Sequence, residues 1–222
     1  MIESIYFLLI AIFGGLLITI VPHELGHLVM YKIFGGKLYA AHLYFINLYK
    51  DTENNKFKLD IPNKQNRKTS VACYKKGGFT WIQILFIYLA GPMTNLMIGI
   101  TLIIAYISTK NILALIFAVE SFYDGVKNLI LVQIEESDGS IIKRLLNKET
   151  REHEILRINI ANKIVTEQKI DLDDIDKLMS SENIFYMKTA CIFMQSSPDP
   201  KIKRFGEREM KIILEKELSS IA

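Results

Sequence analysis

The chain has 222 residues and a mass of 25.5 kDa; half of its residues are hydrophobic and 23% are charged. Those proportions exclude a disordered chain, a collagen-like repeat and a disulfide-stapled secreted scaffold. The net charge of +3 is too balanced for a nucleic-acid binder, and two distant cysteines, Cys73 and Cys191, suit a reducing compartment. The apolar excess lies before about residue 135 and most of the charge after it.

From Ser4 to Pro22 no residue is charged. Nineteen residues of helix rise roughly 28 Å, close to the hydrocarbon thickness of a bilayer. A cleaved leader fits poorly, because Glu3 stands where Lys or Arg is expected and no small-x-small site follows. The first span is therefore placed at about residues 4–33, with Pro22 expected to kink or interrupt it. Residues 35–80 are basic, with nine Lys and Arg against Asp51, Glu53 and Asp60. Within them, 38–46 and 56–61 flank the turn-rich Asp51-Thr52-Glu53-Asn54-Asn55 and read as a β-hairpin, with a further strand at 70–74 before Gly77-Gly78. His42 falls in the first of those strands.

Gly77 to Thr109 is a second uncharged stretch of thirty-three residues, placing a span at about 78–108. Trp81, Tyr88 and Tyr106 are its candidate interfacial anchors. A third span, 111–134, contains Glu120, Asp124 and Lys127, which fall on one helical face and so can turn away from lipid. Loop 35–80 is rich in Lys and Arg while the link between spans two and three has only Lys110, so the positive-inside rule predicts a multi-pass cell-membrane protein. Its N-terminus would lie outside, with loop 35–80 and the tail in the cytoplasm. After about residue 140 a 3.6-residue period takes over, with helices expected at 141–146, 151–168, from Asp171, at 183–194 and at 201–218. The expected fold is mainly α: a three-helix transmembrane core over 1–145, a short β-hairpin or sheet after the first helix, and a soluble helical domain over 146–222.

The first span ends in His23-Glu24-Leu25-Gly26-His27. Residues i and i+4 lie one turn apart, so both imidazoles reach one metal ion, zinc by preference. Glu24 stands one position round from His23, close enough to take a proton from water without ligating the metal. Two histidines and a glutamate at the end of an apolar span are costly to bury unless something compensates them, and a cation does. Zinc needs a third protein ligand and an open fourth position for catalysis.

The second span contains Ala90-Gly91-Pro92-Met93-Thr94-Asn95, and Asn128-Leu129-Ile130 and Ser137-Asp138-Gly139 follow or close the third. Taken in order with the first motif, these residues resemble the site-2 protease family of intramembrane zinc metalloproteases, in its small bacterial form, over about residues 5–145. The resemblance implies that His23 and His27 are zinc ligands, Glu24 the catalytic base and Asp138 the third ligand. It further implies that Asn95 positions substrate or stabilises the oxyanion, and that the substrates are membrane-spanning segments of other proteins within the lipid bilayer. The family's proline after the asparagine is replaced by Leu131, and Asn128 and Asp138 are ten positions apart. Glu135 and Glu136 beside Asp138 therefore remain alternative third ligands. Gly139 would allow a tight turn that aims the carboxylate, and Ser137-Asp138-Gly139-Ser140 also reads as a helix cap. Two other schemes compete: a membrane zinc protease with Glu120 as third ligand and Asp124 behind it, and a non-catalytic zinc-containing membrane binding protein. The hairpin over 38–61 is expected to offer a strand edge beside the metal to an unwound substrate. Nothing in the sequence sets an oligomeric state.

Overall fold

The computed structural model describes residues 2–43, 46–50, 56–61, 69–130, 137–165 and 170–221. The protein is mainly helical with a small antiparallel sheet. It divides into two compact units, one of Met1–Lys75 with Ile82–Lys143, the other of Lys76–Trp81 with Arg144–Ala222.

In the first unit, α1 runs Ile2–Ile33 and is not interrupted at Pro22. Proline removes one N–H, but bonds on either side keep the helix going, so of a kink or an interruption the latter does not occur. Near its middle Thr19 Oγ1 donates to Gly15 O at 2.9 Å, a local side-chain bond that satisfies a polar group buried among apolar ones. The helix ends at Gly35, whose φ of +79° is the left-handed conformation that closes helices. There Gly36 N donates to Tyr31 O and Gly35 N to Lys32 O.

The sheet has four strands, β1 Lys37–Leu43, β2 Ile46–Lys50, β3 Phe57–Asp60 and β4 Thr69–Tyr74, ordered β3-β2-β1-β4 and antiparallel throughout. The stretch expected to be one strand over 38–46 is thus two strands. Leu43 to Ile46 is an unbroken apolar run without a turn residue, so the sequence does not mark the reversal between them. Tyr44, Phe45 and the turn residues 51–55 lie outside the described residues, as do Lys64, Arg67 and Lys68. Register aligns Val71, Ala41, Leu48 and Leu59 in one cross-strand row and Ser70, His42, Asn47 and Asp60 in the next. Successive rows face opposite sides, so these apolar and polar rows lie on opposite faces of the sheet. On the polar row His42 Nδ1 lies 2.8 Å from Asn47 Oδ1.

Helices α2 Trp81–Thr109 and α3 Ile112–Ile130 are separated by two residues. Lys110 takes a φ of +54° and donates its N–H to Tyr106 O, and Asn111 Oδ1 accepts from Leu113 N to cap α3. The buried residues of α2 (Ile84, Ile87, Gly91, Pro92, Asn95 and Gly99) form one face. Small residues set how near the helices come. A Cβ on Gly26 of α1 would meet Thr94 Oγ1 and Ala90 O of α2; one on Gly125 of α3 would meet Pro92 O; one on Gly14 would meet the ring of Phe117. Close helix contact through glycine is the packing used where van der Waals fit replaces the hydrophobic drive. Among the described residues, α2 is a helix long and apolar enough to cross a membrane. Residues 131–134, assigned from sequence to the third span, are outside the described residues.

α4, Asp138–Leu146, begins three residues earlier than expected. Ser137 caps it, its Oγ accepting from Ser140 N at 3.3 Å. Gly139 has no positive φ; a side chain there would strike the carbonyls of Asn128 and Leu129. Its role is close approach to the end of α3 rather than the tight turn expected.

In the second unit α5 Lys148–Val165, α6 Leu172–Met179, α7 Ile184–Gln195 and α8 Pro200–Ile221 follow the expected helices closely. Residues 166–168 of the expected fifth helix lie outside the described residues. Asp171 and Asn183 cap α6 and α7 through their side-chain oxygens, and Pro200 sits at the first position of α8 with Asp199 Oδ1 accepting from Lys201 N. The core is built of Ile160, Leu178, Tyr186, Ala190, Cys191 and their neighbours. Glu154, fully buried on α5, receives Arg144 Nε at 2.9 Å, Arg157 Nη2 at 2.6 Å and Tyr186 Oη at 3.1 Å. Asn159 pairs with the backbone of Phe79, accepting its N–H at 3.0 Å and donating to its carbonyl at 3.3 Å, while Arg151 lies over the Trp81 ring.

Candidate metal centre

Because α1 continues past Pro22, His23 and His27 stand one turn apart on the face turned to α2. Three donor atoms converge there: His23 Nε2 to Asp138 Oδ2 at 2.9 Å, His27 Nε2 to Asp138 Oδ2 at 3.4 Å, and the two Nε2 atoms at 3.2 Å. These residues form a group that could hold a metal ion. Ligands about 2.0–2.1 Å from a tetrahedral ion are about 3.3 Å apart, so the separations fit that geometry. Asp138 arrives at the first position of α4, while Glu135 and Glu136, the alternative third ligands, lie outside the described residues.

The ring orientations are held from behind. His27 Nδ1 lies 2.6 Å from the carbonyl of Ile87. A carbonyl only accepts, so Nδ1 carries the proton and Nε2 presents its lone pair to the group. On the far side of His23, Asn95 Nδ2 is 3.3 Å and Asp124 Oδ2 3.9 Å from Nδ1. Asn95 Nδ2 donates to Asp124 Oδ2 at 2.6 Å, and Asn128 Nδ2 donates to the same oxygen at 3.2 Å. Asn95, read from the sequence as a substrate or oxyanion residue, thus lies against the outer nitrogen of His23.

Burial is deep: His23 and His27 are each 7% exposed, Glu24 6% and Asn95 0%. Asp138 is also largely withdrawn from water. Glu24 lies within electrostatic reach of His27. Glu120, the third ligand of the competing scheme, is elsewhere: its carboxylate covers Gly15, eight residues and about 12 Å of helix before His23. Among the described residues, its Oε2, Ser121 Oγ and Asn95 Oδ1 are buried without a hydrogen-bond partner.

Three features escape the sequence. Gly91 leaves room for both rings, because a Cβ there would overlap His27 Nε2 and come within 2.7 Å of His23 Nε2. Tyr31, eight residues after His23 on the same face of α1, shares a side-chain hydrogen bond with Tyr88, whose ring meets His27 edge-on. Its spacing of four from His27 was the signal available. The third is Ile87, whose contribution is a backbone carbonyl and therefore leaves no mark in the sequence. No family model, no curated protein and no solved structure matches this chain.

Proposed function

We propose that the protein is an intramembrane zinc endopeptidase of the site-2 protease type, hydrolysing peptide bonds in or near membrane-spanning segments of other proteins. The observation that carries this reading is the convergence of His23 Nε2, His27 Nε2 and Asp138 Oδ2 beside a buried Glu24. A binder or a structural site has no use for a carboxylate held next to the donors without being one of them. His23, His27 and Asp138 would hold zinc, which when bound acidifies water and polarises the substrate carbonyl. Glu24 accepts the proton of the attacking water and returns it to the leaving amine. Ile87 fixes the tautomer of His27, and Gly91 leaves room for both rings.

A multi-pass arrangement of α1, α2 and α3 rests on what the helices expose. Leu17, Val29 and Ile33 of α1, Met97, Ile100, Ile104 and Ile107 of α2, and Val119, Tyr123 and Ile130 of α3 are all exposed. In water such a surface is a large apolar patch; in lipid it carries no penalty. The charge distribution of the loops then puts the metal end of α1 on the cytoplasmic side.

An unwound substrate needs partners for its backbone, and a strand edge supplies them. The edges of the sheet are β3 and β4, and β4 lies against α1 with Cys73 in electrostatic reach of Tyr31. Of the two edges, β4, which packs against α1, is taken as the one that receives substrate, while β3 is the edge that the hairpin over 38–61 supplies. The test is cleavage of a panel of membrane-spanning substrates by the full chain in proteoliposomes, with and without a chelator. Chelator-sensitive cleavage that disappears in Glu24→Gln supports the reading; cleavage that survives the substitution rejects it.

A further inference from the structure

We infer that Asp124 is a positioning residue for the metal centre, the carboxylate that receives the Nδ1 proton of His23 when Nε2 binds a metal. The inference rests on the metal reading above and deepens it. A neutral imidazole that coordinates through Nε2 carries its proton on Nδ1, and that proton needs an acceptor. His27 has one in the carbonyl of Ile87 at 2.6 Å. His23 faces two groups, the amide of Asn95 at 3.3 Å and Asp124 Oδ2 at 3.9 Å.

The amide is not the acceptor, for a geometric reason. Asn95 Nδ2 lies 2.6 Å from Asp124 Oδ2, a short donor–acceptor contact. Turning the amide over to offer Oδ1 to His23 would set that oxygen against the carboxylate oxygen at the same 2.6 Å, two acceptors face to face. The contact with Asp124 fixes the nitrogen where it is, and a nitrogen donor cannot accept the imidazole proton. Asp124 Oδ2 remains, and closing from 3.9 Å to hydrogen-bond length takes about 1 Å of side-chain movement. Asn128, one turn further along α3, holds the same oxygen from the other side at 3.2 Å. Asn95 and Asn128 then have a common task, to steady the carboxylate that orients His23. A carboxylate behind a metal-bound histidine raises ligand basicity, and its loss costs 10- to 100-fold in metal affinity.

The full-length chain in detergent is titrated with zinc against a chromophoric chelator, as wild type, Asp124→Asn, Asp124→Glu and Glu120→Gln. Asp124→Asn, nearly the same shape, is expected to lose 10- to 100-fold in affinity, Asp124→Glu to recover most of it, and Glu120→Gln to bind as wild type does. The cobalt-loaded wild type supplies a second, spectroscopic readout that a scaffolding role would not move. Its two histidine N–H protons should appear as paramagnetically shifted resonances protected from exchange, and the His23 proton should exchange quickly in Asp124→Asn. An unprotected His23 proton in the wild type overturns the inference whether or not the variant folds. Wild type that binds zinc while Asp124→Asn binds equally well overturns the role of Asp124 alone. Wild type that takes up neither zinc nor cobalt overturns the metal centre and this inference with it.

Discussion

Gly91→Ala puts a methyl group between the two imidazoles. Its carbon would lie 2.7 Å from His23 Nε2 and closer still to His27 Nε2, whereas ordinary contact begins near 3.4 Å. Each ring must retreat by at least about 0.7 Å, several times the ±0.2 Å over which metal–ligand distances are tolerated. Imidazoles swing on two torsions, so the fold escapes cheaply, at about 0.5–1.5 kcal/mol for an off-rotamer ring. Alanine offsets that by up to about 1 kcal/mol of helix propensity. Stability should therefore hardly change, while zinc affinity falls at least about 10³-fold, roughly 4 kcal/mol. Zinc per chain after dialysis, chelator competition and circular dichroism together read this out. Gly99→Ala on the same helix strikes the Phe122 ring instead and should keep its metal. A Gly91→Ala protein that is folded and holds zinc as tightly as wild type would refute the placement of the ion between His23, His27 and Asp138.

Glu24→Gln should retain zinc and lose about 10²- to 10⁴-fold in turnover, whereas His23→Ala or His27→Ala should lose both, by metal analysis and peptide cleavage. Asp138→Asn should weaken zinc retention more than Glu135→Gln or Glu136→Gln does; the reverse ranking would move the third ligand. Burial, against the opposing pull of Lys32, pushes the Cys73 thiol up to about 12. At pH 8 only about one thiol in 10⁴ is then ionised, so iodoacetamide should label native Cys73 far more slowly than a free thiol of ordinary pKa. Rapid labelling under native conditions would contradict its burial. In the helical unit, Glu154→Ala leaves Arg144 and Arg157 without their buried partner and should cost about 3–5 kcal/mol, seen as faster hydrogen exchange across α5 and α7.

The long helices and the donors were legible because each has a periodic or spaced signature. The uncharged runs ending at Pro22 and Thr109 mark α1 and α2, the capping residue Asp171 marks α6, and the apolar run after Asn183 marks α7. His23 and His27 announce themselves by their i, i+4 spacing, and Asp138 came into view through the family resemblance carried by Ser137-Asp138-Gly139. What stayed hidden depends on three-dimensional proximity between distant residues. Gly91 reads as a helix breaker beside Pro92 until two imidazoles are seen to need its missing side chain. Asp124 reads as a charge to be kept from lipid until Asn95, Asn128 and His23 surround it. The reversal between β1 and β2 was missed because it falls in the unbroken apolar run from Leu43 to Ile46, which holds no turn residue. Pro22 does not interrupt α1: one lost hydrogen bond does not end a helix held by bonds before and after it.

Zinc K-edge X-ray absorption on the purified full chain probes the proposed ligand set most directly. Bound zinc should show a first shell of nitrogen and oxygen alone at about 2.0–2.1 Å, with outer-shell scattering from two imidazoles. Absence of stoichiometric zinc, or sulfur near 2.3 Å in its first shell, would place the ion elsewhere and undo the account.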